Sequence, residues 1–259
     1  MTDETQTPPE DERSSDKAHA NVGIVTALPM ELNPFLGLCE RRRSYTGKKF
    51  KFVGGVYKDK VKVVVVQKAV GFAKARAATQ ALIDAHTPNW VISAGFSGAL
   101  KPDMQVGNIV VGSSIADQHG HSMKIDLQMS SDPENGLHVG RLLTADQIIL
   151  SVEDKQKAGE QFDALAADLE SLAVAQVCKE RGVRFMAIRA LSDDMTEDLP
   201  KEVLSLMGET GTVRLGAAVG AVWKRFGSVK DMWHLREKAT LASRRLGVFL
   251  GQLLPRLVE

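Results

Sequence analysis

Val22-Gly-Ile-Val-Thr-Ala-Leu28 is a short apolar run closed by Pro29, the pattern of a strand covered on both faces. Trp90-Val-Ile-Ser-Ala94 is a second such run, and it leads into Gly95-Phe-Ser-Gly-Ala99, read as a glycine-containing turn. Between them, residues 50–57 and 61–67 form two apolar or alternating runs separated by Lys58-Asp-Lys60, the signature of a hairpin. Residues 73–86 are small and apolar with Lys and Arg interspersed, and Pro88 lies just beyond, which predicts a helix. Further strands are expected at 106–111, 139–145, 164–167 and 184–191, with helices at 151–162 and at 169–181, the last stopped by Gly182. From Pro200 onward the pattern is helical, with helices near 201–207, 215–226 and 231–254. The polar stretch 116–136 carries His119, His121 and an Asn135-Gly136 turn signal, and reads as a long loop. Strands alternating with helices predict an α/β sandwich, a mixed sheet with helices on both faces.

Composition narrows the function classes. The 259 residues suffice for one sizeable core. A net charge of +1 lacks the basic excess of a phosphate-backbone binder, so a small ligand is expected rather than nucleic acid. Cys39 and Cys178 are too few for a disulfide framework and lack metal-site spacing, and both are read as structural, in keeping with a reducing cytoplasm. Residues 1–20 are rich in Asp, Glu, Ser, Thr and Pro, and are expected to form a disordered tail ahead of a catalytic domain spanning 21–259. No stretch approaches the roughly 18–20 apolar residues of a membrane span.

Ligands of open α/β sheets gather beyond the carboxyl ends of the strands. The polar residues expected there are Glu31, Ser97 with Gly98, Asp168 with Glu170, and Arg189 with Ser192 and Asp193. Three of these strand ends carry carboxylates, which could serve a metal, acid/base chemistry or structure alone. Glu31 or Glu170 would complement a helix dipole, and Asp193 would form a turn or cap. The neighbouring sequence offers no histidines or paired carboxylates for a transition metal or calcium.

Five segments, Gly23-Ile-Val-Thr-Ala-Leu-Pro-Met-Glu31, Ala94-Gly-Phe-Ser-Gly-Ala-Leu100, Val106-Gly-Asn-Ile-Val-Val111, Ala167-Asp-Leu-Glu-Ser-Leu-Ala173 and Ile188-Arg-Ala-Leu-Ser-Asp193, resemble in order the signatures of methylthioadenosine/S-adenosylhomocysteine nucleosidases, members of the nucleoside phosphorylase superfamily. The resemblance implies a partly barrel-like sheet, no cofactor or metal, a homodimer, and hydrolysis of the adenine–ribose bond. Cleavage of a purine riboside leaves positive charge on the sugar and negative charge on the base, so anions near the ribose and a proton for the base are needed. By resemblance, Asp193 protonates or hydrogen-bonds N7, Ser192 orients it, Glu170 holds the ribose hydroxyls, Glu31 activates water and Arg189 helps to hold that water. Leu28, Phe96, Ser97, Gly98, Gln147, Ile148 and Leu169 would line the substrate.

The chain also departs from the pattern. The family's glycine segment usually begins Gly-Ser-Ala-Gly-Gly, against Gly95-Phe-Ser-Gly-Ala99 here, and an aromatic residue that relatives place against adenine corresponds to Gln147. From Leu199, Leu199-Pro200 and Gly211-Thr-Val-Arg-Leu-Gly216 resemble hopanoid-associated members, which act on a lipid-linked nucleoside. Lys74 and Arg76 after Gly71 suit a phosphorolytic alternative, and the altered glycine segment suits a binding module without catalysis. Between 224 and 245, Lys224, Arg225, Lys230, Arg236, Lys238, Arg244 and Arg245 alternate with Trp223, Phe226, Met232, Trp233 and Leu235. That pattern either packs an apolar stripe on the core with its charges solvated, or rests peripherally on an anionic membrane.

Overall fold

The computed structural model describes residues 19–200, 203 and 229–258. Apart from residue 203, the helices expected near 201–207 and 215–226, the glycine segment 211–216 and most of the tail lie outside the described residues. Ala20 is already part of the fold: it is buried and its N–H donates to His86 O.

The elements follow in order as β1 (Val22–Val25), α1 (Pro29–Gly37), β2 (Glu40–Gly47), β3 (Phe50–Tyr57), β4 (Val61–Gln67), α2 (Phe72–His86), β5 (Trp90–Ala99), β6 (Ile109–Asp117), β7 (Ser122–Lys124), β8 (Leu137–Thr144), α3 (Val152–Gln161), β9 (Ala166–Asp168), α4 (Ser171–Arg181), β10 (Arg184–Asp193) and a long C-terminal helix, α5 (Val229–Arg256). One mixed sheet holds all ten strands in the order β10-β6-β8-β9-β5-β1-β4-β3-β2, with β7 paired to β6. Because β10 also pairs with β5, the strands β10, β6, β8, β9 and β5 close into a ring, from which β1, β4, β3 and β2 extend. This is the three-layer α/β sandwich with a partly barrel-like sheet.

Why β1 and β4 are almost wholly apolar follows from their position. Val22, Ile24, Val61, Val63 and Val65 face the layer of α1 and α5, whereas Val25, Val64 and Val66 face α2 and α4. A strand covered on both sides has no polar face. The apolar stripe of α5, Ala242, Leu246, Leu250, Leu253 and Leu254, is buried in the core shared with Leu32 and Phe35 of α1, while Arg244 and Arg245 are exposed.

Two expectations change, and one strand has no counterpart among them. Gly95-Phe-Ser-Gly-Ala99 is not a turn: β5 continues through it, paired parallel to β10 as far as Gly98 opposite Asp193, and antiparallel to β9 at Gly98 and Ala99. Neighbours on both sides use the backbone groups that a turn would have left free. The stretch 116–136 is partly regular, since β6 runs on to Asp117 and returns as β7, with a short 3-10 turn at Pro133–Asn135. β2, whose sequence Glu-Arg-Arg-Arg-Ser-Tyr-Thr-Gly shows no apolar period, is an exposed edge strand defined by pairing with β3, including a stacked Tyr45–Phe52 pair at 5.2 Å. Charged side chains suit an edge, where they discourage pairing with other chains.

Helix α3 sits against the end of β5 through Gly159, where a Cβ would lie 2.2 Å from Leu100 O. Gly159→Ala must displace backbone, and a loss of about 1–3 kcal/mol is expected from overpacking. Gly37→Ala, with open space around it, is the control. Equal denaturation midpoints for the two variants would contradict this packing.

Candidate active site

Two chemical groupings meet at the carboxyl ends of β1, β5, β9 and β10. The first is built around Arg189, which is buried on β10. Its Nε donates to Asp168 Oδ2 at 2.9 Å, and its Nη2 donates to Ser93 Oγ at 2.8 Å and Ser171 Oγ at 2.9 Å. Glu170 Oε2 stands 3.8 Å from Nη2. Glu31 approaches from the opposite side, because a Cβ placed on Gly95 would lie 2.7 Å from both Arg189 Nη1 and Glu31 Oε1. Gly95 is therefore a space requirement: a side chain there would collide with both the Glu31 carboxyl and the guanidinium.

Each carboxylate is positioned by local backbone logic. Glu31 is the third residue of α1, and its Oε2 accepts from Leu28 N–H at 2.7 Å and from Thr26 Oγ1 at 2.6 Å, half of a capping box. Its Oε1 accepts from Phe96 N–H of β5 at 2.9 Å, tying β1 and α1 to the ring. Asp168 Oδ1 accepts from Thr144 Oγ1 and from the N–H groups of Glu170 and Ser171, and so caps α4. Glu170 precedes α4, and its Oε1 accepts from Gly71 N–H at 2.9 Å at the start of α2.

Electrostatics separates the roles within this cluster. Burial pushes Glu170 up to about 7, with Arg189 opposing and Asp168 adding to the rise. Burial likewise raises Glu31 above the usual carboxylate range, despite its hydrogen bonds and Arg189. Burial works against the charge on Arg189, but Asp168, Glu170 and Glu31 outweigh it and hold the guanidinium charged. Carboxyls raised toward neutrality are what proton transfer near pH 7 calls for.

The second grouping surrounds Asp193, at the end of β10. Ser192 Oγ donates to its Oδ1 at 3.0 Å and also approaches Ser97 O at 3.5 Å. Oδ2 is buried without an aligned hydrogen-bond donor, and Lys155 Nζ of α3 stands 2.6 Å from it. Gly98 leaves room for this carboxylate, since a Cβ there would lie 2.8 Å from Oδ2. Ser97 Oγ is buried without a partner among the described residues.

The structure thus brings Glu31, Glu170 and Arg189 into one cluster and joins Ser97, Gly98 and Ser192 to Asp193. Leu28 touches the cluster through its backbone, as does Phe96, and Leu169 is half-buried beside Glu170. Nε and Nη2 of Arg189 are committed to Asp168, Ser93 and Ser171, while Nη1 lies beside Gly95, as does Glu31 Oε1. Gln147 is exposed and Ile148 half-buried in the segment between β8 and α3, which is tied to Gln118 through Asp146 N–H rather than to the carboxylates. Cys39 and Cys178 are buried, with thiols pushed up to about 11 and about 12, and are inert packing. Sequence reading missed Lys155, hidden in a helix that looks uniformly polar, and the anchoring role of Asp168.

A family model described as the phosphorylase superfamily matches residues 21–219. The chain belongs to the phosphorylase superfamily. Among curated relatives of this superfamily member, a 5′-methylthioadenosine/S-adenosylhomocysteine nucleosidase of Staphylococcus aureus (strain JH9) is 25% identical over 196 residues, covering 66% of this chain and 86% of that protein. A solved nucleosidase of the same name from Helicobacter pylori superposes with a TM-score of 0.63 at 19% identity, covering 91% of this chain and 100% of the other. Futalosine hydrolase from the same organism superposes with a TM-score of 0.61 at 19% identity, covering 90% and 97%. At these identities the superpositions establish the fold. The likeness of residues 199–216 to hopanoid-associated members finds no support among these relatives, and most of those residues lie outside the described structure.

The raised Glu170 gives a stability signature. Folded Glu170 keeps its proton up to about 7, whereas an ordinary glutamate releases it near 4.5. Between these values the native state binds more protons than the unfolded chain, so stability falls as pH rises through that window and levels off above it. Glu170→Gln lacks the titrating proton. The melting temperature of the variant minus that of the natural protein is expected to climb from about pH 4.5 to about pH 7; a level difference would contradict the buried, proton-retaining carboxyl.

Proposed function

We propose that this chain hydrolyses the N-ribosidic bond of a purine nucleoside of the methylthioadenosine/S-adenosylhomocysteine type. The observation that carries the reading is Glu31: a buried carboxyl of raised proton affinity, held by Thr26, Leu28 and Phe96 beside Arg189 and in one cluster with Glu170. In this reading the N9–C1′ bond breaks with its electron pair passing to the base. Glu170 offsets the charge on the ribose, Asp193 presents a proton to N7, and Glu31 takes a proton from the water that adds to C1′. The names of the curated relatives support the substrate class.

Hydrolysis is favoured over phosphorolysis by what occupies the start of α2. A helix N-terminus is a ready anion site, but Gly71 N–H is taken by the Glu170 carboxylate. Of Lys74 and Arg76, the latter is turned onto Glu180 of α4 at 2.8 Å. A binding module without catalysis has no use for a buried carboxyl of raised proton affinity beside the ribose site.

The deciding experiment incubates the protein with methylthioadenosine, S-adenosylhomocysteine, adenosine and inosine, with and without phosphate. Adenine and free ribose sugar are expected regardless of phosphate; a ribose 1-phosphate product would establish phosphorolysis. In the same assay Asp193→Asn should lower base release by about 10²–10⁴-fold, the usual worth of a general acid, with the fold intact by circular dichroism. Near-normal turnover would remove Asp193 from the mechanism. Glu31→Gln should lose hydrolysis while binding an unreactive substrate analogue with little change in affinity. Lost affinity with unchanged turnover of bound substrate would make Glu31 a wall of the pocket instead.

A further inference from the structure

Lys155 is the one lysine buried among the described residues, 1% exposed on a helix whose other charged side chains face solvent. A buried ammonium is costly unless it is paired, and its counter-charge is Asp193, 2.6 Å away. Nζ also donates to Asp194 O at 2.9 Å, which fixes the ammonium at the end of β10. The surrounding chain holds α3 in this position: Val152 N–H donates to Asp198 Oδ1 and Leu199 N–H to Leu150 O, so the start of α3 and the segment following β10 are joined on both sides of the pair.

Asp193 is therefore met by the Ser192 hydroxyl on one oxygen and by an ammonium on the other. Each oxygen of the carboxyl thus faces a group that carries hydrogen. The nearest transferable proton lies on Lys155. Resting on the nucleosidase reading above, we propose that Lys155 is the positioning residue that supplies, through Asp193, the proton that leaves with the base. As the N9–C1′ bond breaks and its electron pair passes to the base, one proton moves from Nζ to the Asp193 carboxylate, once the pair has aligned, and from there to N7, leaving a neutral amine. The proton that Glu31 removes from the attacking water balances the overall reaction once it returns through solvent. Of the charged groups facing the pair, Asp194 lies on the segment after β10, where burial would raise its proton affinity but Thr196, Lys238 of α5 and Lys155 outweigh it and lower it; from β5 the uncharged Ser97 approaches Ser192 and Gly98 approaches Asp193.

The test measures kcat, KM and the pH profile of base release for the natural protein, Lys155→Met and Lys155→Arg, each checked by thermal melting. In Lys155→Met the ammonium is gone, and the alkaline limb of kcat/KM should move to lower pH. Lys155→Arg keeps the charge, and with it the fold, if removing the cation proves too destabilising. A guanidinium does not surrender its proton, so kcat should fall by about tenfold or more at every pH, within the worth of general acid catalysis, with KM within about twofold. A folded Lys155→Met with an unmoved limb, or Lys155→Arg with natural kcat, overturns the inference and leaves the nucleosidase reading standing. Absence of base release by the natural protein from every nucleoside overturns both.

Discussion

The buried charge on Arg189 is the constraint around which the site is organised. A guanidinium removed from water must be matched by charge and by hydrogen-bond acceptors, and Asp168, Glu170 and Glu31 provide the charge while Ser93 and Ser171 complete the acceptors. These groups come from β1–α1, β5, β9–α4 and β10. Satisfying one side chain therefore fixes the relative positions of four segments that are far apart in the chain. The same burial raises Glu31 and Glu170, so the interaction that holds the strands together also prepares the carboxyls.

Two kinds of residue do the positioning. Small ones make room: Gly95 lets Glu31 and Arg189 approach, and Gly98 lets Asp193 fold back against β5. Capping ones aim: Asp168 organises the first turn of α4, and Glu31 closes the start of α1. Glu31 shows that a structural cap and a chemical group can be one residue, since the hydrogen bonds that stabilise the helix are those that orient the carboxyl.

Much of the fold is legible in the sequence because most of its strands are buried on both faces and spell themselves out as apolar runs. β2 is not, because an edge strand is made by its partner rather than by its own pattern, and its Arg41, Arg42 and Arg43 look like loop. The glycine segment 95–99 misleads for the opposite reason: glycine signals a turn locally, yet here it answers a demand for space across strands. The carboxylates Glu31, Glu170 and Asp193 stand out at strand ends. Lys155 does not, since a lysine amid Glu153, Asp154, Gln156 and Lys157 carries no sign that it alone points inward. Which face of α3 is covered depends on Gly159 meeting Leu100, a contact between distant parts of the chain.

The closed ring of β10, β6, β8, β9 and β5 bears on how a ligand could come and go. β5 and β10, which carry the two halves of the site, are paired with each other along nearly their whole length, and each has a further ring strand on its other side. Parting them would break ladders in a structure that has no free edge at that point. The connections at its rim include 145–150 between β8 and α3 and 194–200 after β10. These two connections meet at the Leu199–Leu150 hydrogen bond, so movement of either one would be transmitted to the other.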